Sequence, residues 1–287
     1  MTKDVALVLS SGGARGLAHI GAIEELEAQG YRITSIAGCS MGALIGGVYA
    51  AGKLEEFREW MKTIDRKKML GLTDFSLSLN HIVKGTRIIE AIMEFVPDMP
   101  IEKLPIPYCC VATDWKAGHE VVISSGSLFE AIRASISLPS FYEPVRRDGM
   151  ILIDGGVVNP IPLNRVQRHD GDLLVGVDVS GHDYEAQWER VHKHIERLKH
   201  DKSLKGKLLD RLIPDNIDFN YYTLLSRTSS LMIRQNSLLM AQLMHPDILV
   251  DIQMNHYGSF DYDKSEKLIA VGRQMTQQAI EEYNTEE

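Results

Sequence analysis

The sequence predicts an α/β protein: a mostly parallel central sheet flanked by helices on both faces. Three observations carry that expectation. Val5-Ala6-Leu7-Val8-Leu9 and Leu173-Leu174-Val175-Gly176-Val177-Asp178-Val179 are near-continuous apolar, β-prone runs, as strands covered on both faces require. A glycine-rich turn and then a helical apolar rhythm follow the first run, the strand–loop–helix unit of such sheets. Between the two runs lies Gly38-Cys39-Ser40-Met41-Gly42, set between a short strand ending in Ile33, Ile36 and Ala37 and a buried helix through Ala43, Leu44, Ile45, Val48, Tyr49 and Ala50.

Taken in order, the first strand enters Ser10-Ser11-Gly12-Gly13-Ala14-Arg15-Gly16. Leu17, Ile20, Gly21, Ile23, Glu24 and Leu26 then keep helical spacing up to a stop at Gly30. A dinucleotide site wants Gly-x-Gly-x-x-Gly and an acid at the end of the next strand, but Ser11 holds the first glycine position and Ile36-Ala37-Gly38 offers no acid. A phosphate loop needs Gly-Lys-Ser/Thr, and the lysine is missing. Two uses remain: an oxyanion hole, in which the backbone amides of Gly12, Gly13 and Arg15 face a tetrahedral intermediate, or a tight connection that binds nothing. Ser40 falls on the next strand-to-helix turn. Its flanking glycines let strand and helix approach closely, and its hydroxyl is pushed out over the sheet edge beside unpartnered helix amides. Alone, the pentapeptide reads equally well as a glycine-rich turn with an incidental serine.

Beyond Gly52, Leu54, Phe57, Trp60, Met61 and Ile64 mark an outer amphipathic helix. Phe75 to Asn80 is a polar loop, and Gly85-Thr86-Arg87 opens a helix from Ile88 to Phe95, closed by Pro97 and Pro100. Pro107 to Thr113 reads as a central strand with Glu120 to Ile123 as its antiparallel or adjoining companion. Ser127 caps a helix holding Leu128, Ala131, Ile132 and Ala134, which stops at Ser137-Leu138-Pro139. Val145 and the turn Arg147-Asp148-Gly149 lead to the strand Met150 to Ile153, which ends in Asp154-Gly155-Gly156. An acid at the carboxyl end of a strand is where α/β sheets place catalytic groups, although a turn-forming Asp-Gly looks the same. The serine elbow and the glycine loop tip the reading towards catalysis.

After Ser180-Gly181, Trp188, Val191, Ile195 and Leu198 mark an amphipathic helix whose other face carries Arg190, His192, Lys193, Arg197 and Lys199; further lysines run to Lys207. Such a run is ordinarily a solvated face, and a site for anionic lipid headgroups is the sharper alternative. Tyr221, Leu224, Leu225, Leu231, Met232, Leu238, Leu239, Met240, Leu243 and Met244 form a long apolar stripe. Core or subunit contact is its default reading, with a lid or acyl-chain wall as the minority one. A last strand, Ile248 to Ile252, precedes a helix from about Ser265 with Leu268, Ile269, Val271 and Met275 facing inward.

Composition narrows the classes. The 287 residues suffice for a large core, and a formal charge of −8 argues against nucleic acid as the main partner. Cys39, Cys109 and Cys110 lack ligand or disulfide spacing, which fits a reducing compartment. The amino terminus is too short and too acidic for a secretory signal, and the apolar run 33–51 contains six glycine or serine residues, against a membrane span. The expectation is one domain over residues 1–287, elaborated by a helical and basic segment at about 183–245. It is placed in the cytoplasm or at the periphery of the inner membrane surface, with membrane contact and homo-oligomerisation left open.

Three signatures stand in a fixed order: Ser11-Gly12-Gly13-Ala14-Arg15-Gly16, Gly38-Cys39-Ser40-Met41-Gly42 and Asp154-Gly155-Gly156. Together they resemble the patatin-like phospholipase family, and more narrowly its bacterial members, over Val5 to about Val179. The resemblance implies a three-layer sandwich and a serine acyl hydrolase acting on a lipid or other acyl ester, without metal or other cofactor. It implies Ser40 as nucleophile, Asp154 as its base, the loop of Gly12, Gly13 and Arg15 as oxyanion hole, an acyl-enzyme intermediate, and Gly16, Gly38, Gly42, Gly155 and Gly156 as the motif glycines. Ser11 departs from the glycine that many members carry; at the loop's outer edge it is expected to matter little. A carboxylate is a weak base in water, with a pKa of about 3.9, so a dyad of this kind requires burial to raise it. Two other readings stay open. One is an α/β-hydrolase with Ser, Asp and His in that order, for which His169, His245 and His256 follow Asp154, while His19 on the first helix is read as structural. The other is a regulatory or adaptor protein that keeps the fold and works by binding.

Overall fold

Among the described residues eight strands form one sheet: Lys3–Leu9 (β1), Tyr31–Cys39 (β2), Tyr108–Asp114 (β3), His119–Ile123 (β4), Val145–Arg147 (β5), Met150–Asp154 (β6), Leu173–Gly181 (β7) and Ile248–Gln253 (β8). The computed structural model describes residues 3–64, 68, 86–139, 141–181, 221–254, 257–258 and 261–286. The expected polar loop at 75–80, the basic helix around Trp188, the lysine-rich stretch after it and His256 lie outside the described residues.

Pairing runs β5-β6-β3-β2-β1-β7-β8, with β4 also on β3. The stretch β3-β2-β1-β7-β8 is parallel throughout, while β4 and β6 each pair antiparallel with β3, and β5 with β6. The sheet is therefore mostly parallel, as expected, with an antiparallel margin. The three-residue β5 completes a hairpin with β6, where the sequence predicts only Val145 and a turn.

The register on β3 decides where the site can form. β4 occupies one edge of β3 from Cys110 to Asp114. On the other edge, β2 pairs as far as Cys39 with Val111, and β6 takes over at the next residue, Asp154 with Ala112. Since β2 is parallel to β3 and β6 antiparallel, their carboxyl ends run towards each other and meet tip to tip.

Side-chain alternation splits the apolar residues between two faces. Val5, Leu7 and Leu9 of β1 join the larger core with Ile36, Val175, Val177 and Val250. That core is covered by Ala18–Ala28 (α1), Met41–Ala50 (α2), Leu54–Lys62 (α3), Thr86–Met93 (α4), Leu128–Ser135 (α5) and Ser265–Glu286 (α7). Ala6, Val8, Ala37 and Cys109 face the other way, against Ile161, Leu163, Val166 and the helix Tyr221–Met244 (α6). Helix, sheet and helix make three layers, and every residue from Val5 to Leu9 is fully buried.

Helix α6 gives only one side of itself to the core. Its apolar stripe is not mainly core: Met240, Ala241 and Met244 pack on the sheet, whereas Leu224, Leu231, Met232, Leu239 and Leu243 are exposed. Charge decides which face turns inward. Arg234 donates to Asp178 Oδ2 of β7 at 3.0 Å and to Asp251 Oδ1 of β8 at 2.8 Å. Arg234, Ser237, Ala241 and Met244 share one helical face, and two carboxylates at the sheet fix that face against it.

Candidate active site

Strand β2 ends at Cys39, and α2 begins at Met41, so Ser40 alone makes the turn. Its backbone sits at φ 53° and ψ −119°, one of three described non-glycine residues with positive φ. Such a conformation costs about 1–3 kcal/mol and persists only when its surroundings hold it. They do. A Cβ on Gly38 would stand 2.5 Å from the Gly42 carbonyl oxygen and 2.6 Å from Ala43 N. One on Gly42 would stand 2.2 Å from the Leu9 carbonyl oxygen. Both glycines therefore serve close main-chain approach, as the elbow reading expects. The Ser40 N–H donates to Ser135 Oγ at 2.9 Å.

Ser40 Oγ donates to Asp154 Oδ2 at 2.6 Å. These residues are 114 apart in sequence and meet because the ends of β2 and β6 face each other along β3. Asp154 does lie at the carboxyl end of its strand, but the reason differs from the parallel-sheet rule: β6 runs antiparallel, and its end is carried back to that of β2. Gly156 N–H donates to Asp154 Oδ1 at 2.8 Å, and the Gly155 backbone packs on the Val111 carbonyl, where a Cβ would stand 2.3 Å from the oxygen. The main chain of Asp154 is fixed as well, its N–H donating to the Ser137 carbonyl at 2.9 Å and its carbonyl accepting from Thr113 Oγ at 3.0 Å. Burial pushes the Asp154 carboxyl up to about 6, against the lowering effect of the hydrogen bonds from Ser40 and Gly156. At 2.6 Å no imidazole fits between hydroxyl and carboxylate.

The glycine loop lies between these two elements. Gly12 has an extended φ of 178° and Gly13 a left-handed φ of 58°, opening the 3-10 turn Gly13–Leu17. Arg15 Nε donates to the Gly12 carbonyl at 3.1 Å, tying the turn to its entry. Gly16 packs on the side chain of Met41, the residue after Ser40, where a Cβ would stand 2.4 Å from Met41 Cγ. On the other side a Cβ on Gly156 would stand 3.0 Å from Ser11 Oγ. Ser11 is thus buried against the Asp-Gly-Gly turn rather than lying at the loop's outer edge, which corrects the expectation made for it.

His19 is fully buried with Nε2 2.9 Å from the Ser10 carbonyl; because a carbonyl only accepts, Nε2 carries the proton. Burial lowers its pKa to about 4, so the ring is neutral and holds the entrance to the loop. Cys39, Cys109 and Cys110 are buried, with burial raising each thiol, the latter two to about 12. Among the described residues no group of three or more His, Cys, Asp or Glu is arranged to hold a metal ion.

Sequence reasoning missed Ser135 and Thr113. Ser135 had a signal: it falls on the buried stripe Leu128, Ala131, Ile132, where a polar side chain must find partners.

The family model described as patatin-like phospholipase matches residues 7–166, from the first strand past the Asp-Gly-Gly turn. The chain belongs to the patatin-like phospholipase family. An uncharacterized NTE family protein of Mycobacterium tuberculosis is 46% identical to this patatin-like chain over 177 residues, covering 62% of it and 49% of the relative. Neuropathy target esterase sws of Drosophila melanogaster is 32% identical over 188 residues, covering 63% of this chain and 13% of that protein. The patatin-like chain thus spans about half the length of the mycobacterial relative and a small part of the insect one. Among solved structures, VipD from Legionella pneumophila aligns with a TM-score of 0.46 and 13% identity, covering 98% of this chain and 67% of that one.

Proposed function

We propose that the chain is a serine acyl hydrolase that cleaves lipid acyl esters through a Ser40–Asp154 dyad. The observation that carries this is the direct 2.6 Å hydrogen bond from the Ser40 hydroxyl to a buried carboxylate. A carboxyl raised to about 6 stays ionised at neutral pH yet is a far better base than one in water. As Ser40 Oγ attacks the ester carbonyl carbon, its proton passes to Asp154 Oδ2, and the amides of Gly12, Gly13 and Arg15 stabilise the oxyanion. The carbon–alkoxy bond breaks, the leaving alcohol takes the proton from Asp154, and the acyl group remains on Ser40. Water then attacks, giving a proton to Asp154, and the acyl–Oγ bond breaks as that proton returns to Ser40.

Exposed apolar residues flanking the site's segments in sequence favour a lipid substrate. Val157 and Val158, directly after Gly156, are 45% and 37% exposed, and Leu138, next to the Ser137 that holds Asp154, is 40% exposed. Exposed apolar side chains this close in sequence to the Asp-Gly-Gly turn and to Ser137 suit an acyl chain.

Labelling of the purified chain with a fluorophosphonate tests the reading. One adduct is expected at Ser40, with none on Ser40→Ala. A chain that stays unlabelled and hydrolyses no ester belongs to the adaptor class instead; loss of activity on His169→Ala, His245→Ala or His256→Ala would point to a triad.

A further inference from the structure

Helix α5 ends on Ser135-Ile136-Ser137, and this short stretch touches the main chain of both dyad residues. The Ser135 hydroxyl is fully buried. It accepts from Ser40 N–H at 2.9 Å and donates to the Val111 carbonyl at 2.7 Å. Two residues on, the Ser137 carbonyl accepts from Asp154 N–H at 2.9 Å. The Ser137 hydroxyl is itself held, accepting from Arg133 Nη1 and donating to the Arg133 carbonyl, both at 2.7 Å.

We propose that Ser135 is a positioning residue for the dyad: its hydroxyl pins the Ser40 amide to β3, so that Ser40 Oγ stays on Asp154. This rests on the acyl-hydrolase reading. Three points carry it. Ser40 holds a strained backbone that needs external support, and its amide stands at the start of α2, where no helical partner exists. The Ser135 hydroxyl is the group bonded to that amide. Its proton goes to Val111, the residue that pairs with Cys39 and against whose carbonyl Gly155 packs, so a single hydroxyl joins elbow, central strand and acid turn. Ser135 touches neither reacting oxygen. It acts through Ser40, and a displacement of about 1 Å at such a group lowers turnover on the order of 100-fold.

The test uses Ser135→Ala, Ser135→Cys and Ser135→Thr beside the wild type. Read on each are kcat and KM for a short-chain p-nitrophenyl ester, the rate of fluorophosphonate labelling of Ser40, and thermal melting. Cysteine nearly fills the same volume with a weaker hydrogen-bonding group, so it keeps the question open to measurement if the alanine variant does not fold. Alanine and cysteine are expected to lower kcat about 10- to 100-fold, with labelling slowed in proportion, KM within about threefold and a cooperative melt retained; threonine, which keeps the hydroxyl, restores most of kcat. Wild-type kcat in the cysteine variant, or a raised KM with kcat unchanged, overturns the proposal. If the wild type neither labels nor turns over ester, the acyl-hydrolase reading has failed, and amide hydrogen exchange of the peptide spanning residues 39–44 decides the positioning claim alone. Exchange at least about tenfold faster in the cysteine variant upholds it, and unchanged exchange overturns it.

Discussion

Asp154→Asn is expected to lower ester turnover by about 100- to 10,000-fold while leaving the protein folded. The amide can keep both of the carboxylate's hydrogen bonds. Asp154 Oδ1 accepts from Gly156 N–H and Oδ2 accepts from Ser40 Oγ. Asparagine can turn its oxygen to Gly156 and its NH2 to Ser40, so both contacts survive, but the serine oxygen becomes an acceptor and keeps its own proton. Geometry is preserved and activation is lost. Stability should move the other way. The folded carboxyl lies near 6, above its ordinary value of 3.8, because burial disfavours its charge. Its contribution to stability is therefore complete below about pH 4 and is lost as pH rises through 6, a change of up to about 3 kcal/mol. Asparagine carries no charge, so the variant should melt higher than the wild type at pH 8 and differ little at pH 4. In the wild type, kcat/KM should rise along an acid limb centred near pH 6, and the residual activity of the variant should lack that limb. Unchanged hydrolysis by Asp154→Asn would remove the base from the mechanism.

Much of this arrangement was legible in the sequence, for definite physical reasons. Parallel strands buried on both faces have to be apolar along their whole length, so β1 and β7 announced themselves. The elbow was legible because Gly38 and Gly42 stand where any side chain would strike main chain. What stayed hidden depends on partners distant in sequence. Periodicity marks an apolar face of α6 without saying what covers it, and it is Arg234, reaching Asp178 and Asp251, that turns another face to the sheet. The direction of β6 was equally silent: an antiparallel strand of Met-Ile-Leu-Ile-Asp looks like a parallel one, yet only the antiparallel course brings Asp154 to Ser40. Ser11 looked peripheral because a loop residue is usually solvated, and its burial follows from Gly156, whose missing side chain leaves room for it.

The second large effect is expected at Gly42. In Gly42→Ala the new Cβ would lie 2.2 Å from the Leu9 carbonyl oxygen, 2.5 Å from the Leu9 carbonyl carbon and 2.6 Å from the Ser10 carbonyl oxygen. All three are main-chain atoms at the end of the central strand, so no rotamer change relieves the clash. Either β1 or α2 must shift. Overpacking of this kind costs about 1–3 kcal/mol and occasionally more. For a chain of this size each kcal/mol lowers the melting temperature by about 2–4 °C, so a fall approaching 10 °C is expected. Because α2 begins at the residue after Ser40, the shift also displaces the hydroxyl from Asp154, and turnover should drop on the order of 100-fold even in the folded fraction. Gly46→Ala, one turn further along the same helix, supplies the comparison. The three atoms nearest its Cβ would all be side-chain atoms: Ile36 Cγ2 at 2.8 Å, Leu9 Cδ1 at 3.5 Å and Tyr108 Cε2 at 3.7 Å. Those atoms can give way, so that variant should keep most of its turnover and lose less of its melting temperature. Equal effects at both glycines, or a Gly42→Ala protein that melts and turns over like the wild type, would mean that the Ser40 hydroxyl is not held by the pressure of the elbow on the exit of β1.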